Sequence, residues 1–299
     1  MSPKITYGTA LAGVDLSKLS GTLIVIEGPD SSGRSTQIAL LAQWLEEQGH
    51  AVAQVGLRRS NLVGPELERA KQGNILSPRT LSLFYATDFY DQLENGIVPA
   101  LRAGFVVLAD RYIYTLMARA IVRGAEPEWV ASVYSMAIVP DAVFYLTASL
   151  ATLVQRTFQA HSELDYWESG MDCGLSRDWF QSFVRYQRRV RSEFFKMQKK
   201  YAFELVNANR TIAALDRDLR GRIQLVLDRA EKLETNRQSF VQQGLCILVK
   251  TEAVICLSHG AHQARLNQRL ALKFLLNLLG ASIQKLASRD RAAARLTGI

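Results

Sequence analysis

Cysteine and histidine are scarce in this chain of 299 residues, which has three of the first and four of the second. Cys173, Cys246 and Cys256 follow no C-x-x-C spacing and cannot all pair within one chain, so neither a disulfide framework nor a zinc knuckle is implied. His259 and His262 share an i,i+3 spacing but lack an acidic-cysteine constellation, and they read as structural or surface residues. Seven prolines and 19 glycines are too few for a collagenous or low-complexity chain. A membrane-length apolar run is also missing. The most apolar late stretch, Leu270 to Leu279, is short and interrupted by Lys273 and Asn277, and no apolar stretch near the start resembles a signal peptide. The expectation is a cytoplasmic protein of a reducing compartment with no membrane partner.

What is present is enough hydrophobic surface for a real core: 48% of residues are hydrophobic and 21% charged. The length suits two units or one large α/β domain with an appendage. The net charge of +8 is unevenly placed. From residue 240 onward eight basic residues face two acidic ones, leaving only +2 for the first 239. That basic tail lacks a nucleic-acid fingerprint and basic-aromatic interleaving, so nucleic acid is not the expected partner. Its apolar helical stripe, Leu266, Leu270, Phe274 and Leu278, points instead to docking on the main domain or to a subunit interface.

Residues 1–20 read as an arm, 21–233 as the main domain, 234–240 as a linker and 241–299 as a basic extension with two short strands, 244–249 and 253–257, and helices. Within the domain, apolar runs at 22–27, 105–109 and 142–146 predict buried strands, and 51–55 and 203–206 are further strand candidates. They alternate with helical patterns at 36–48, 61–73, 78–93, 114–136, 179–201 and 212–233. This is the pattern of a parallel sheet flanked by helices. The polar span 161–177 is a candidate lid. Trp129, Trp167 and Trp179 read as core or interface residues.

Gly28-Pro29-Asp30-Ser31-Ser32-Gly33-Arg34-Ser35-Thr36 lies between the first strand and the first helix, the context of a phosphate-cradling loop. Its spacing fits GxxxxG, with Arg34 where the motif has Lys. Backbone N–H groups near Gly33 to Ser35 would wrap phosphate oxygens at the helix N-terminus, and Ser35 would offer a hydroxyl to Mg²⁺. Arg34 keeps the cation, but its planar fork is wider than an ammonium, so binding is expected to survive the exchange better than turnover. Asp110, at the end of an apolar strand, suits water-mediated Mg²⁺ binding, and adjacent Arg111 suits an acceptor phosphate.

The combination of IVIEGPDSSGRSTQ, SLFYATDFYDQL, VVLADRYIYT and PDAVFYLTASLATLVQR, in this order over about residues 20–229, resembles the thymidylate kinase family. The resemblance implies a P-loop NTPase fold with a five-stranded parallel sheet, a closing lid and often a homodimer. It implies phosphoryl transfer from ATP-Mg²⁺ to dTMP, a small-molecule nucleoside monophosphate. Carried over by position, Gly28, Ser31, Ser32, Gly33, Arg34, Ser35 and Thr36 would hold the donor phosphates, Ser35 and Asp110 the metal, and Asp30 would lie near the acceptor phosphate or sugar. Arg111 would grip that phosphate, Phe84 would stack on the base, Asp88 and Tyr112 would belong to the acceptor side, and Arg156 would approach ATP. Asp30, Arg34, Asp110, Arg111 and Arg156 form the expected catalytic set. The chain departs from the pattern at Arg34, at Phe89, where many members carry Arg, and around Arg58-Arg59-Ser60, which lacks REPGG. Arg58, Arg59, Arg119 and Arg123 are the cations available to compensate, and Arg177, Arg185, Arg188, Arg189 and Arg191 those available for lid closure. A catalytically weak or inactive nucleotide-binding regulatory or scaffold protein with the same fold is the rival expectation.

Overall fold

The computed structural model describes residues 4–72, 76–160, 164–233 and 235. The chain divides into two compact units, Met1–Leu233 and Glu234–Ile299. The account that follows is of the first. Thr235 aside, the expected linker and the extension 241–299, with its strands, apolar helix and docking role, lie outside the described residues.

Five strands form the sheet: β1 (Thr22–Glu27), β2 (Val52–Gly56), β3 (Val106–Asp110), β4 (Ala142–Thr147) and β5 (Glu204–Asn207). All neighbours pair in parallel, in the order β2-β3-β1-β4-β5. The central strand β1 is buried along its whole length, as a sheet covered on both faces requires. Period-2 alternation divides its side chains: Leu23 and Val25 join one core, Ile24 and Ile26 the other.

The second of these cores lies under α1 (Arg34–Glu47) and a helix over 212–233, here α9. Leu215, Leu219, Ile223 and Leu227 of α9 recur every fourth residue and meet Ile38, Leu41 and Leu45 of α1. The other face carries α3 (Pro78–Gln92), α5 (Ile113–Val122) and α8 (Trp179–Tyr201). Shorter helices complete the layers: α2 (Gly64–Gln72), α4 (Val98–Arg102), α6 (Pro127–Val133) and α7 (Leu150–Ala160).

The helix expected over 114–136 is two helices, because Gly124 at φ 91° ends α5 and Pro127 opens α6. The described part of the arm, from residue 4, packs on the domain. Tyr7 N–H donates to the Ala137 carbonyl (3.1 Å) and Val139 N–H to Ile5 (2.8 Å), while Leu11 and Leu19 enter the core. Buried Lys4 pairs with Asp141, whose carboxylate also accepts the Leu23 N–H at 2.7 Å, so the arm is tied to the entrance of both β1 and β4.

Candidate active site

The sheet order places the carboxyl ends of β1 and β3 side by side, and the chemistry-bearing residues gather there. Leaving β1, the chain turns through Gly28 at φ 153°, where a Cβ would lie 2.9 Å from Ser32 Oγ and 3.0 Å from the Leu146 carbonyl. Gly33 at φ 94° then opens α1, and its left-handed backbone suits glycine. Ser32 is buried, whereas Ser35 and Thr36 are exposed on the first turn of α1.

Arg34 folds back into this loop and is only 8% exposed. Its Nε donates to Asp110 Oδ1 at 3.0 Å, and its Nη1 donates to the carbonyls of Gly28 and Pro29. Three of five donors therefore fasten the loop to itself and to β3. The Nη2 edge makes no hydrogen bond among the described residues and stands 4.0 Å from Asp30 Oδ1. Ser35 Oγ donates to Asp110 Oδ2 at 3.0 Å. A hydroxyl and a carboxylate side by side at a phosphate loop form a hard-oxygen donor set that fits Mg²⁺, which takes one or two carboxylates and completes its shell with phosphates and water.

Asp30 stands between Arg111 and Arg119. Arg111 Nη2 pairs with its Oδ1, and Arg119 Nη2 donates to Oδ2 at 2.8 Å. Burial raises the Asp30 pKa, but the combined field of Arg111, Arg119 and Arg34 overrides it and holds the carboxyl far below the usual range. Burial likewise pushes Asp110 up, and Arg34 and Arg111 pull it back below its ordinary value. Arg111 has φ 71°, a left-handed conformation unusual for a non-glycine residue, and its buried Nε has no hydrogen-bond partner.

A residue to which sequence reasoning gave no role, Glu27, fixes this turn. It is fully buried, and its Oε1 accepts the N–H groups of Tyr112 (2.9 Å) and Thr115 (3.2 Å) while Oε2 accepts Thr115 Oγ1 (2.6 Å). Glu27 thus caps α5 from another strand and ties the residue before the phosphate loop to the turn that carries Arg111. Burial raises its pKa, against the pull of these hydrogen bonds and of Arg34 and Arg111. The available signal was an acid ending an otherwise apolar strand.

The other expected residues divide between the site and its support. Arg156 reaches the Ser32 carbonyl (3.4 Å) and the Ala208 carbonyl (3.0 Å), beside the loop, and its neighbour Thr157 bonds Ser31 Oγ at 2.9 Å. Phe84 is half-buried against the core. Asp88 is fully buried, and its oxygens accept Arg58 N–H (2.8 Å) and Ser60 N–H (3.0 Å), so its carboxylate shapes the loop after β2. That loop aims Arg59 at Asp110, 4.0 Å away, while Arg58 turns to Glu68 at 2.9 Å. Tyr112 is a core residue whose hydroxyl donates to Ile138, and Phe89 packs against it.

The described part of the expected lid, 164–177, is packed down. Trp167 is buried and donates its indole N–H to the Lys71 carbonyl at 3.0 Å. Arg123 binds Asp172 (2.7 Å), the Trp167 carbonyl (2.9 Å) and Tyr186, so it clamps this segment and stays out of the anion site. Glu168 has its pKa raised, first by the charge of Asp30 and then by burial, which places its carboxyl in the field of the Asp30 cluster. Among the arginines of α8, Arg188 and Arg191 line a small hollow with Pro29 of the phosphate loop.

A Gly-bounded loop between a central parallel strand and a helix, with a carboxylate and an arginine on the neighbouring strand end, defines a P-loop nucleotide-binding α/β protein. Comparison with known proteins narrows the class. The family model for thymidylate kinase matches residues 26–219, and the chain belongs to that family. It is 34% identical over 203 residues to "Probable thymidylate kinase 2" of Saccharolobus solfataricus, an alignment that covers 68% of this chain and 95% of that protein. It is 28% identical over 215 residues to "Probable thymidylate kinase" of Thermococcus gammatolerans, covering 68% of this chain and 96% of the relative. A shorter match, 42% over 98 residues, joins it to "Thymidylate kinase" of Clavibacter sepedonicus, with 32% and 46% covered.

Proposed function

We propose that the chain transfers the γ-phosphoryl group of ATP to the 5′-phosphate of dTMP, giving ADP and dTDP. The observation that carries this reading is Arg111, the residue after Asp110, whose Nη2 pairs with Asp30 of the phosphate loop and whose buried Nε has no hydrogen-bond partner. A donor left without an acceptor at such a place is a position for a substrate oxyanion. In the reaction an oxygen of the acceptor phosphate attacks the γ-phosphorus, the bond from that phosphorus to the β,γ-bridging oxygen breaks, and ADP leaves. The α1 N-terminus and the Nη2 edge of Arg34 hold the donor phosphates, Arg156 borders the donor side, and Arg111 orients the acceptor. Ser35 and Asp110 would hold Mg²⁺, which supplies charge neutralisation on the phosphate oxygens when bound.

The same reading takes a nucleoside monophosphate as the small-molecule partner and expects a cytoplasmic homodimer that does not engage nucleic acid. No helix among the described residues is long and apolar enough to cross a membrane. One observation favours a second reading, a nucleotide-binding protein of weak or absent turnover: Arg34 spends three donors on its own loop and Asp110.

The deciding experiment is an ATP-Mg²⁺ phosphorylation assay against dTMP, dUMP, dCMP, dGMP and dAMP, with Arg34→Lys in parallel. Selective turnover of dTMP supports the kinase reading. Measurable ATP binding without turnover, restored by Arg34→Lys, supports the second.

A further inference from the structure

We infer that Arg119 is the second arm of a two-arginine clamp on the acceptor's phosphate, a specificity-determining residue for phosphomonoesters over unphosphorylated nucleosides. The inference rests on the reading that the acceptor phosphate docks at Arg111. Arg111 lies in the turn before α5 and Arg119 eight residues on, within the helix, yet both guanidinium groups converge on one carboxylate, taking opposite oxygens of Asp30. Two guanidiniums that hold both oxygens of one carboxylate are already arranged to hold two oxygens of one phosphate, since both anions are read by the same N–H···O geometry. Asp30 serves as the internal oxyanion that keeps the clamp assembled before substrate arrives.

Three features separate Arg119 from a merely structural arginine. Its side chain remains 15% exposed, whereas that of Arg123, one turn later, is 5% exposed and is held by Asp172, Trp167 and Tyr186. Asp30 carries one charge against the two arginines paired to it, so one positive charge of the pair is left to face an incoming phosphate, with the Glu168 carboxyl nearby. Arg111 also keeps its Nε unpartnered, so the clamp has a donor to spare.

The test is equilibrium binding, without ATP, of dTMP and of thymidine to the full chain and to Arg119→Ala and Arg119→Lys, with ATP affinity and melting temperature measured beside them. The expected result for Arg119→Ala is about a 10- to 100-fold loss of dTMP affinity, the scale of one hydrogen bond to a charged group, with thymidine and ATP affinity nearly unchanged. Arg119→Lys recovers part of the loss, because an ammonium keeps the charge and loses the fork. Equal losses for dTMP and thymidine, or no loss for either, overturn the inference. If Arg119→Ala does not fold, Arg119→Lys alone carries the comparison, and an unchanged ratio of dTMP to thymidine affinity overturns it. Should wild type bind another of the five monophosphates in place of dTMP, that nucleotide and its nucleoside are compared, because the clamp reads phosphate and not base. Monophosphate binding without turnover overturns only the kinase reading; absence of binding to all five overturns both.

Discussion

Replacement of Glu27 tests whether one buried carboxylate holds the phosphate loop and the Arg111 turn in register. It accepts two backbone N–H groups and one hydroxyl, all from the start of α5. Glu27→Ala leaves those three donors without an acceptor at about 1–3 kcal/mol each, partly relieved by water, for a loss of about 3–6 kcal/mol. At about 2–4 °C per kcal/mol for a domain of this size, the melting temperature should fall by about 6–24 °C. Glu27→Gln is gentler, since the amide oxygen can still accept both N–H groups while its NH₂ donates to a rotated Thr115 hydroxyl. About 1–2 kcal/mol is expected for the rearranged Thr115 hydrogen bond, with about a tenfold fall in kcat/KM for the acceptor as Arg111 loosens. The pH dependence has a definite sign. Burial raises the folded-state pKa of Glu27 above its ordinary 4.5, so the folded chain retains that proton to higher pH than the unfolded chain does. Wild-type stability therefore declines as pH rises from the ordinary value through the folded one, and Glu27→Gln lacks this decline. The melting gap between the two should narrow across that window. A Glu27→Ala protein that melts within about 2 °C of wild type with unchanged acceptor KM would refute the reasoning.

Asp110→Asn removes the charge that pairs with Arg34 and the acceptor of the Ser35 hydroxyl, and should lower kcat about 100-fold or more in a steady-state assay while the chain stays folded. Asp172→Ala strands the buried Arg123 guanidinium and should cost about 3–5 kcal/mol, read as a fall in denaturant midpoint with unchanged slope. Trp167→Phe leaves the Lys71 carbonyl without its indole donor, at about 1–3 kcal/mol, and should increase protease cleavage within 164–177 before global unfolding. Lys4→Met leaves Asp141 with the Leu23 N–H but without its buried cation; about 1–3 kcal/mol of stability should be lost in thermal melts, with acceptor KM unaffected.

The three inner strands β1, β3 and β4 were legible because each is an apolar run that stops at a polar residue, and the phosphate loop because its glycines sit at fixed spacing before a helix. Strand order was not legible from hydrophobicity: nothing in the run 105–109 says that it lies beside β1, yet that pairing brings Asp110 within 3.0 Å of Arg34, 76 residues away. Asp88 illustrates the opposite case. Its place beside Phe84 in a nucleotide-binding segment marks it for the acceptor side, but a carboxylate buried on α3 needs donors, and it finds them in the backbone of Arg58 and Ser60. Glu27 obeys the same rule. A charge closing a buried strand announces that donors must exist, while their identity, Tyr112 and Thr115, is a fact of topology.

Arg34 shows why an identity read from sequence does not by itself fix a role. As a departure from lysine it suggested a fork wider than an ammonium, yet the guanidinium turns that width inward, bridging two loop carbonyls and Asp110 at once, which an ammonium would do only by spending all three of its donors. The cost falls on reach, because only Nη2 remains free for phosphate. Further arginines stand around the site: Arg111 and Arg119 on Asp30, Arg59 near Asp110 and Arg156 at Ser32 approach the loop from three separate segments. Charge neutralisation in this pocket is therefore distributed, and the consequence of exchanging the loop lysine is set by the whole arginine field and not by residue 34 alone.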